Sequence, residues 1–132
     1  HAALTANTTG TYNTATGMNT LVTNTTGTKN TASGYWSLKS NTTGGSNTAT
    51  GMYSLYSNTT ASNNTAHGYQ ASRFNTTGTN NTASGFYALR ANTTLITQLV
   101  VCMLVKVLLL AAIMSLWVIG LVYKQQVLII HL

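Results

Sequence analysis

The 132-residue chain contains no aspartate, glutamate or proline, and its six lysines and arginines give a net charge of +6. Without a carboxylate, one chain cannot build the acid pair of a glycosidase, an oxygen cage for calcium or magnesium, or a Ser-His-Asp triad. The composition therefore predicts no enzyme, no cofactor and no metal. The cations Lys29, Lys39, Arg73, Arg90, Lys106 and Lys124 stand singly along the sequence, which predicts solvated charges that aid solubility and no nucleic-acid partner.

His1 aligns with Met18 one repeat later, so the chain is read as entered in mid-repeat and as part of something longer. From there to residue 94 a single unit recurs. Asn-Thr-Thr begins at Asn7, Asn24, Asn41, Asn58, Asn75 and Asn92, and Asn-Thr-Ala at Asn13, Asn30, Asn47, Asn64 and Asn81, every step being 17 residues. A fixed period this short predicts stacked coils rather than a globular domain with a pocket.

Aligning the copies turns the sequence into columns. Ala15, Ala32, Ala49, Ala66 and Ala83 form one column, and Gly17, Gly34, Gly51, Gly68 and Gly85 another. Residues so small predict a narrow interior or a close backbone approach. The column Met18, Tyr35, Met52, Tyr69 and Phe86 is large and mostly apolar, and is expected to be buried. The next, Asn19, Trp36, Tyr53, Gln70 and Tyr87, mixes polar and aromatic residues and is expected to face solvent or a partner. A small column (Ala3, Thr20, Ser37, Ser54, Ala71, Ala88) and a leucine column (Leu4, Leu21, Leu38, Leu55, Leu89) follow, with Ser72 interrupting the leucines at a predicted weak spot.

Thr, Asn, Ser and Gly are weak helix formers whose side chains compete with helical backbone bonds, whereas Thr and the aromatics suit strands. The predicted fold of residues 1–94 is an all-β repeat, a parallel β-solenoid or β-roll of 17-residue coils. Identical residues then lie one above another at about 4.8 Å, and five to six coils make a rod of about 25 Å. Asn24, Asn30, Asn41, Asn47, Asn58, Asn64, Asn75 and Asn81 become candidate ladder residues, their amides bonding from coil to coil as stacked amides do in cross-β structures. So thin a coil buries little, which predicts side-by-side association, most simply threefold.

The segment Asn81-Thr82-Ala83-Ser84-Gly85-Phe86-Tyr87-Ala88-Leu89-Arg90-Ala91-Asn92-Thr93-Thr94 resembles the repeat arrays of phage tail-fibre-type proteins and the YadA-like head repeats of trimeric autotransporter adhesins. The resemblance implies a trimeric extracellular or virion fibre used for attachment. It carries no catalytic residues. Trp36, Tyr53 and Tyr87 are the candidate partner-binding residues, with a glycan or a host-surface receptor as candidate partner, since aromatic side chains on a polar rod suit sugar faces or an apolar partner. The competing reading is that they pack between chains. Eight Asn-x-Ser/Thr sequons, at Asn7, Asn24, Asn41, Asn58, Asn63, Asn75, Asn80 and Asn92, are explained mostly by the repeat itself.

Residues 95–132 are almost all apolar and are predicted to form a hydrophobic helix. Val107 to Tyr123 is uncharged between Lys106 and Lys124, and 17 residues make a helix of about 25 Å, the short end for crossing a bilayer. A membrane anchor is one reading, with Trp117 and Tyr123 as interfacial aromatics. The other is that the tail is the same repeat read in a shifted frame. A DNA stretch encoding Asp-Asn-Thr-Ala-Ser-Gly-Met, read one base later, gives Ile-Thr-Gln-Leu-Val-Val-Cys, which is Ile96 to Cys102. The apolar residues keep the repeat's phase at Ile96, Ile113 and Ile130, at Leu99 and Leu116, and at Leu104 and Leu121. We place the shifted frame ahead of the anchor as the tail's origin. Cys102 is a lone thiol, and His1, His67 and His131 lie far apart in the sequence, so neither a disulfide framework nor a zinc site is expected.

Overall fold

The computed structural model describes residues 2–91. The expectations for residues 95–132 (helix, membrane anchor, shifted repeat) lie outside the described residues. Among those described, no helix is long and apolar enough to cross a membrane.

The chain folds as a parallel β-solenoid. Five three-residue strands, β1 (Thr14–Thr16), β2 (Thr31–Ser33), β3 (Thr48–Thr50), β4 (Thr65–His67) and β5 (Thr82–Ser84), form one parallel sheet in sequence order. The register repeats the sequence period: Ala15 pairs with Ala32, Ala32 with Ala49, Ala49 with Ala66 and Ala66 with Ala83. Alternation along each strand turns the central alanine inward and its neighbours outward. From Ala32 to Ala83 the strand alanines are at most 1% exposed. A larger side chain there would not fit between the strand and the opposite wall of the coil.

That wall is built by the leucine column. Leu21, Leu38 and Leu55 are each 0% exposed, within a core that includes the strand alanines. These leucines are already buried within a single chain, so neighbouring chains are not needed to cover them. Each sits in the left-handed region, at φ 49, 48 and 48. For a non-glycine residue that conformation costs about 1–2 kcal/mol, and full burial of a leucine returns about 1.5–3 kcal/mol. The left-handed turn also lets each amide reach the following coil: Leu38 N–H donates to Ser54 O at 3.0 Å and Leu55 N–H to Ala71 O at 3.0 Å. Ser72 keeps the same backbone, φ 48 with its N–H on Ala88 O at 2.8 Å, but brings no aliphatic side chain.

The rest of the interior is polar and hydrogen-bonded from coil to coil. In the first asparagine column each Nδ2 donates both to the carbonyl three residues on and to the amide oxygen of the preceding copy. Asn41 Nδ2, for example, reaches Gly44 O at 2.9 Å and Asn24 Oδ1 at 2.8 Å. In the second column Nδ2 instead donates forward, Asn30 Nδ2 to Gly44 O at 2.8 Å, while Oδ1 again accepts from the following copy, Asn30 Oδ1 from the main-chain N–H of Asn47 at 3.0 Å. The eight asparagines of the two columns between Asn24 and Asn81 are all at most 2% exposed, so the recurring residue is the one that satisfies its own copies. Threonine contributes differently. Thr25 Oγ1 and Thr42 Oγ1 donate to the carbonyls of Thr42 and Thr59, both at 3.1 Å, so these contacts run from hydroxyl to main chain and not from hydroxyl to hydroxyl.

One predicted column is on the wrong side. Met18, Met52 and Phe86 are 41%, 40% and 50% exposed, and Tyr35 and Tyr69 are half-buried. The cause lies in the neighbouring small column, which takes the interior. Ser37 Oγ and Ser54 Oγ donate to Ala49 O and Ala66 O, both at 3.0 Å, so a short hydroxyl ties the turn to the strand of the next coil. The large residue two positions earlier follows a glycine at φ 122–128, where the chain swings outward.

Candidate functional site

The turn that places leucine inside turns two other columns toward the surface, except at Gln70, which is buried where the column was expected to face solvent or a partner. Trp36, Tyr53, Gln70 and Tyr87 hold left-handed φ values of 59, 61, 56 and 59. The residues after leucine-column positions 38, 55, 72 and 89 are Lys39, Tyr56, Arg73 and Arg90, again at steps of 17. The two columns interlock on the surface.

Toward the N-terminal end, Tyr35 stacks on Trp36 with centroids 4.7 Å apart, and Tyr53 meets Trp36 edge-on at 5.4 Å. Tyr56 closes the group at 5.6 Å from Tyr53. Lys39 Nζ lies 4.4 Å from the Trp36 centroid and donates to the Tyr56 hydroxyl at 3.3 Å. Arg73 continues the row, with Cζ 4.7 Å from the Tyr53 ring and 5.1 Å from Phe74. Arg90 takes it to the next coil, 5.3 Å from Phe74 and 4.8 Å from Tyr87. Tyr87 in turn packs on Phe86 at 4.2 Å and Tyr69 at 5.5 Å. Along this row of contacts cations and rings alternate, in the order Lys39, Tyr56, Arg73, Phe74, Arg90 and Tyr87.

Of the three residues singled out from sequence, Trp36 and Tyr53 share one ring group, and Tyr87 belongs to a second. Gln70 separates them. It fills the intervening position, is 5% exposed, and accepts from Arg90 Nε at 2.8 Å. The link between the groups is the arginine pair with Phe74, a connection that reading the aromatic column alone misses. The expectation that the cations do not cluster is also corrected. Lys39, Arg73 and Arg90 gather because solenoid stacking brings together residues whose numbers are congruent modulo 17, however far apart they stand in the chain. Sorting the cations by position within the repeat would have found the column; Lys29 falls in a different one.

The electrostatics of the strip are one-sided. The chain contains no carboxylate side chain, so none of these cations can pair with an acidic side chain of its own chain. Two buried donors in the strip, Trp36 Nε1 and Arg73 Nε, have no hydrogen-bond acceptor. Among the described residues no group of three His, Cys, Asp or Glu side chains could hold a metal ion. Chemically the strip can hold anions and pack against apolar groups. Comparison of the chain with known protein families, with curated proteins and with solved structures finds no match.

Proposed function

We propose that the coil array is a non-catalytic structural segment of an extracellular or virion fibre used for attachment, assembled from three parallel copies. The observation that carries this reading is the pair of buried asparagine rows. Each coil presents to the next the same donors and acceptors that it receives, as Asn24, Asn41 and Asn58 do through bonds of 2.8 and 2.9 Å. A unit satisfied by its own copy lengthens by repetition, which is what a stalk requires. The resemblance to tail-fibre and adhesin arrays supports the same reading.

The exposed ridge of Met18, Met52 and Phe86 is the surface we assign to association, because an apolar column on a narrow rod is covered most simply by its equivalent on a second copy. Sedimentation of the full chain in non-ionic detergent tests it. A mass of three chains is expected, and a stable folded monomer would overturn the association.

A membrane-anchored stalk is the second reading, favoured by the uncharged run Val107 to Tyr123. Sequencing the DNA across codons 92–132 separates it from the shifted frame. A displaced Asn-Thr-Ala-x-Gly pattern supports the shifted frame, whereas its absence in all frames, with detergent needed to extract the chain, supports the anchor.

A further inference from the structure

We propose that the strip of Lys39, Arg73 and Arg90 binds a linear polysaccharide carrying carboxylate or sulfate groups. The inference rests on reading the coil array as an attachment segment, and it specifies the chemistry of the partner.

Three features define that chemistry. The first is pitch. The cations occupy one position in the repeat, and parallel coils stack at about 4.8 Å, close to the length that one sugar unit adds to an extended chain. Arg73 and Arg90 lie in successive coils and Lys39 lies two coils before Arg73, with Tyr56 between, so an acidic polysaccharide lying along the rod can meet the two arginines with successive units and Lys39 with the second unit beyond. The second is preorganisation. Lys39 is held over Trp36, Arg73 over Tyr53 and Arg90 over Tyr87, at 4.4, 4.7 and 4.8 Å. Long side chains held against rings have less freedom left to lose on binding. A guanidinium resting on a ring keeps in-plane N–H donors for the paired oxygens of a carboxylate or a sulfate. The third is the absence of an acidic competitor. No acidic side chain exists in the chain, and the acceptors that Lys39 Nζ and Arg90 Nε meet, the Tyr56 hydroxyl and Gln70 Oε1, are neutral.

The same contacts argue against the other ligand of basic-aromatic surfaces, single-stranded nucleic acid, which needs open ring faces on which bases can stack. Here Trp36 is stacked on Tyr35 and carries Lys39, and Tyr69 is stacked on Phe86 at 5.2 Å. The rings act as supports for the cations. This also moves the recognition of a glycan from the ring faces to the charges, so an uncharged glycan is not a ligand.

The test measures binding of the full 132-residue chain, in non-ionic detergent, to four probes: heparin, polygalacturonate, neutral dextran and a single-stranded deoxythymidine oligomer. The variants are Arg73→Gln/Arg90→Gln, the charge-retaining Arg73→Lys/Arg90→Lys, and Lys29→Gln as a cation outside the strip. Far-UV circular dichroism establishes that each variant is folded. Both acidic glycans should bind at physiological salt and dextran should not. Each guanidinium lost to glutamine should weaken binding about tenfold. The lysine pair should retain intermediate affinity, and Lys29→Gln should stay within about twofold. The proposal is overturned if neither acidic glycan binds, if dextran binds equally well, if Lys29→Gln loses as much as the double variant, or if the deoxythymidine oligomer binds more tightly than polygalacturonate. This assay does not read assembly. Lost glycan binding with a three-chain mass intact sinks only the ligand, and a monomer that still binds sinks only the association.

Discussion

Asn41 Nδ2 donates to Asn24 Oδ1 at 2.8 Å, with both side chains 0% exposed. Each amide is at once a rung of the ladder and the template for the next. Asn41 also donates to Gly44 O and accepts from Asn58 Nδ2 at 2.9 Å. Truncation to Asn41→Ala therefore strands Asn24 Oδ1 inside the coil, at about 1–3 kcal/mol, and removes one bond each from Gly44 O, which keeps Asn30 Nδ2, and from Asn58 Nδ2, which keeps Ala61 O. We expect a loss of about 3 kcal/mol in chemical denaturation. Thr43→Ala, at an exposed position in the same turn, should change stability by less than about 0.5 kcal/mol.

Gly51 separates backbone need from mere smallness. Its φ is +123, and an added Cβ would lie 2.6 Å from Gly68 O and 2.8 Å from Gly68 C, both main-chain atoms of the next coil. Neither can withdraw without breaking the stack. Gly51→Ala should cost about 3 kcal/mol or more. Gly45 is the contrast: its column otherwise holds Thr11, Thr28, Ser62 and Thr79, its φ is not in the left-handed region, and an added Cβ would lie 3.0 Å from Thr28 O, a contact that a shift of a few tenths of an ångström relieves. Gly45→Ser should be neutral or stabilising by about 0.5 kcal/mol. Thermal denaturation of the two variants side by side checks both values.

Ser72 stands in the leucine column with the leucine backbone already in place, at φ 48 and 3% exposed. Ser72→Leu should restore the aliphatic row between Leu55 and Leu89 and stabilise the fold by about 1–2 kcal/mol. A raised denaturation midpoint with an unchanged denaturant slope is the expected readout. A fall would mean that Gln70 and Arg90, paired beside this position, have taken the space.

The solenoid was legible because one physical demand recurs at every step. Ala15 to Ala83 and the asparagine rows repeat without interruption, and in-register stacking is the arrangement that lets each residue serve the next copy. What escaped the sequence were the places where propensity is overruled. Leucine, tryptophan and lysine are poor residues for positive φ, yet Leu38, Trp36 and Lys29 adopt it at φ 48, 59 and 59. Without those turns the column of Met18 and Phe86 looks internal by hydrophobicity alone, and with them Ser37 and Ser54 take the interior. Of the candidate site, the rings Trp36 and Tyr53 could be named from sequence. Their cations could not be placed until stacking brought Lys39 and Arg73 beside them.

The central claim is that the 17-residue unit is an additive structural element whose ends match its own copies. Small-angle scattering from chains carrying one, two and three extra copies of residues 24–40 tests it most directly. The long dimension should grow by about 4.8 Å per added copy, with the cross-section unchanged. A cross-section that swells, or a long dimension that fails to increase with copy number, would contradict the account.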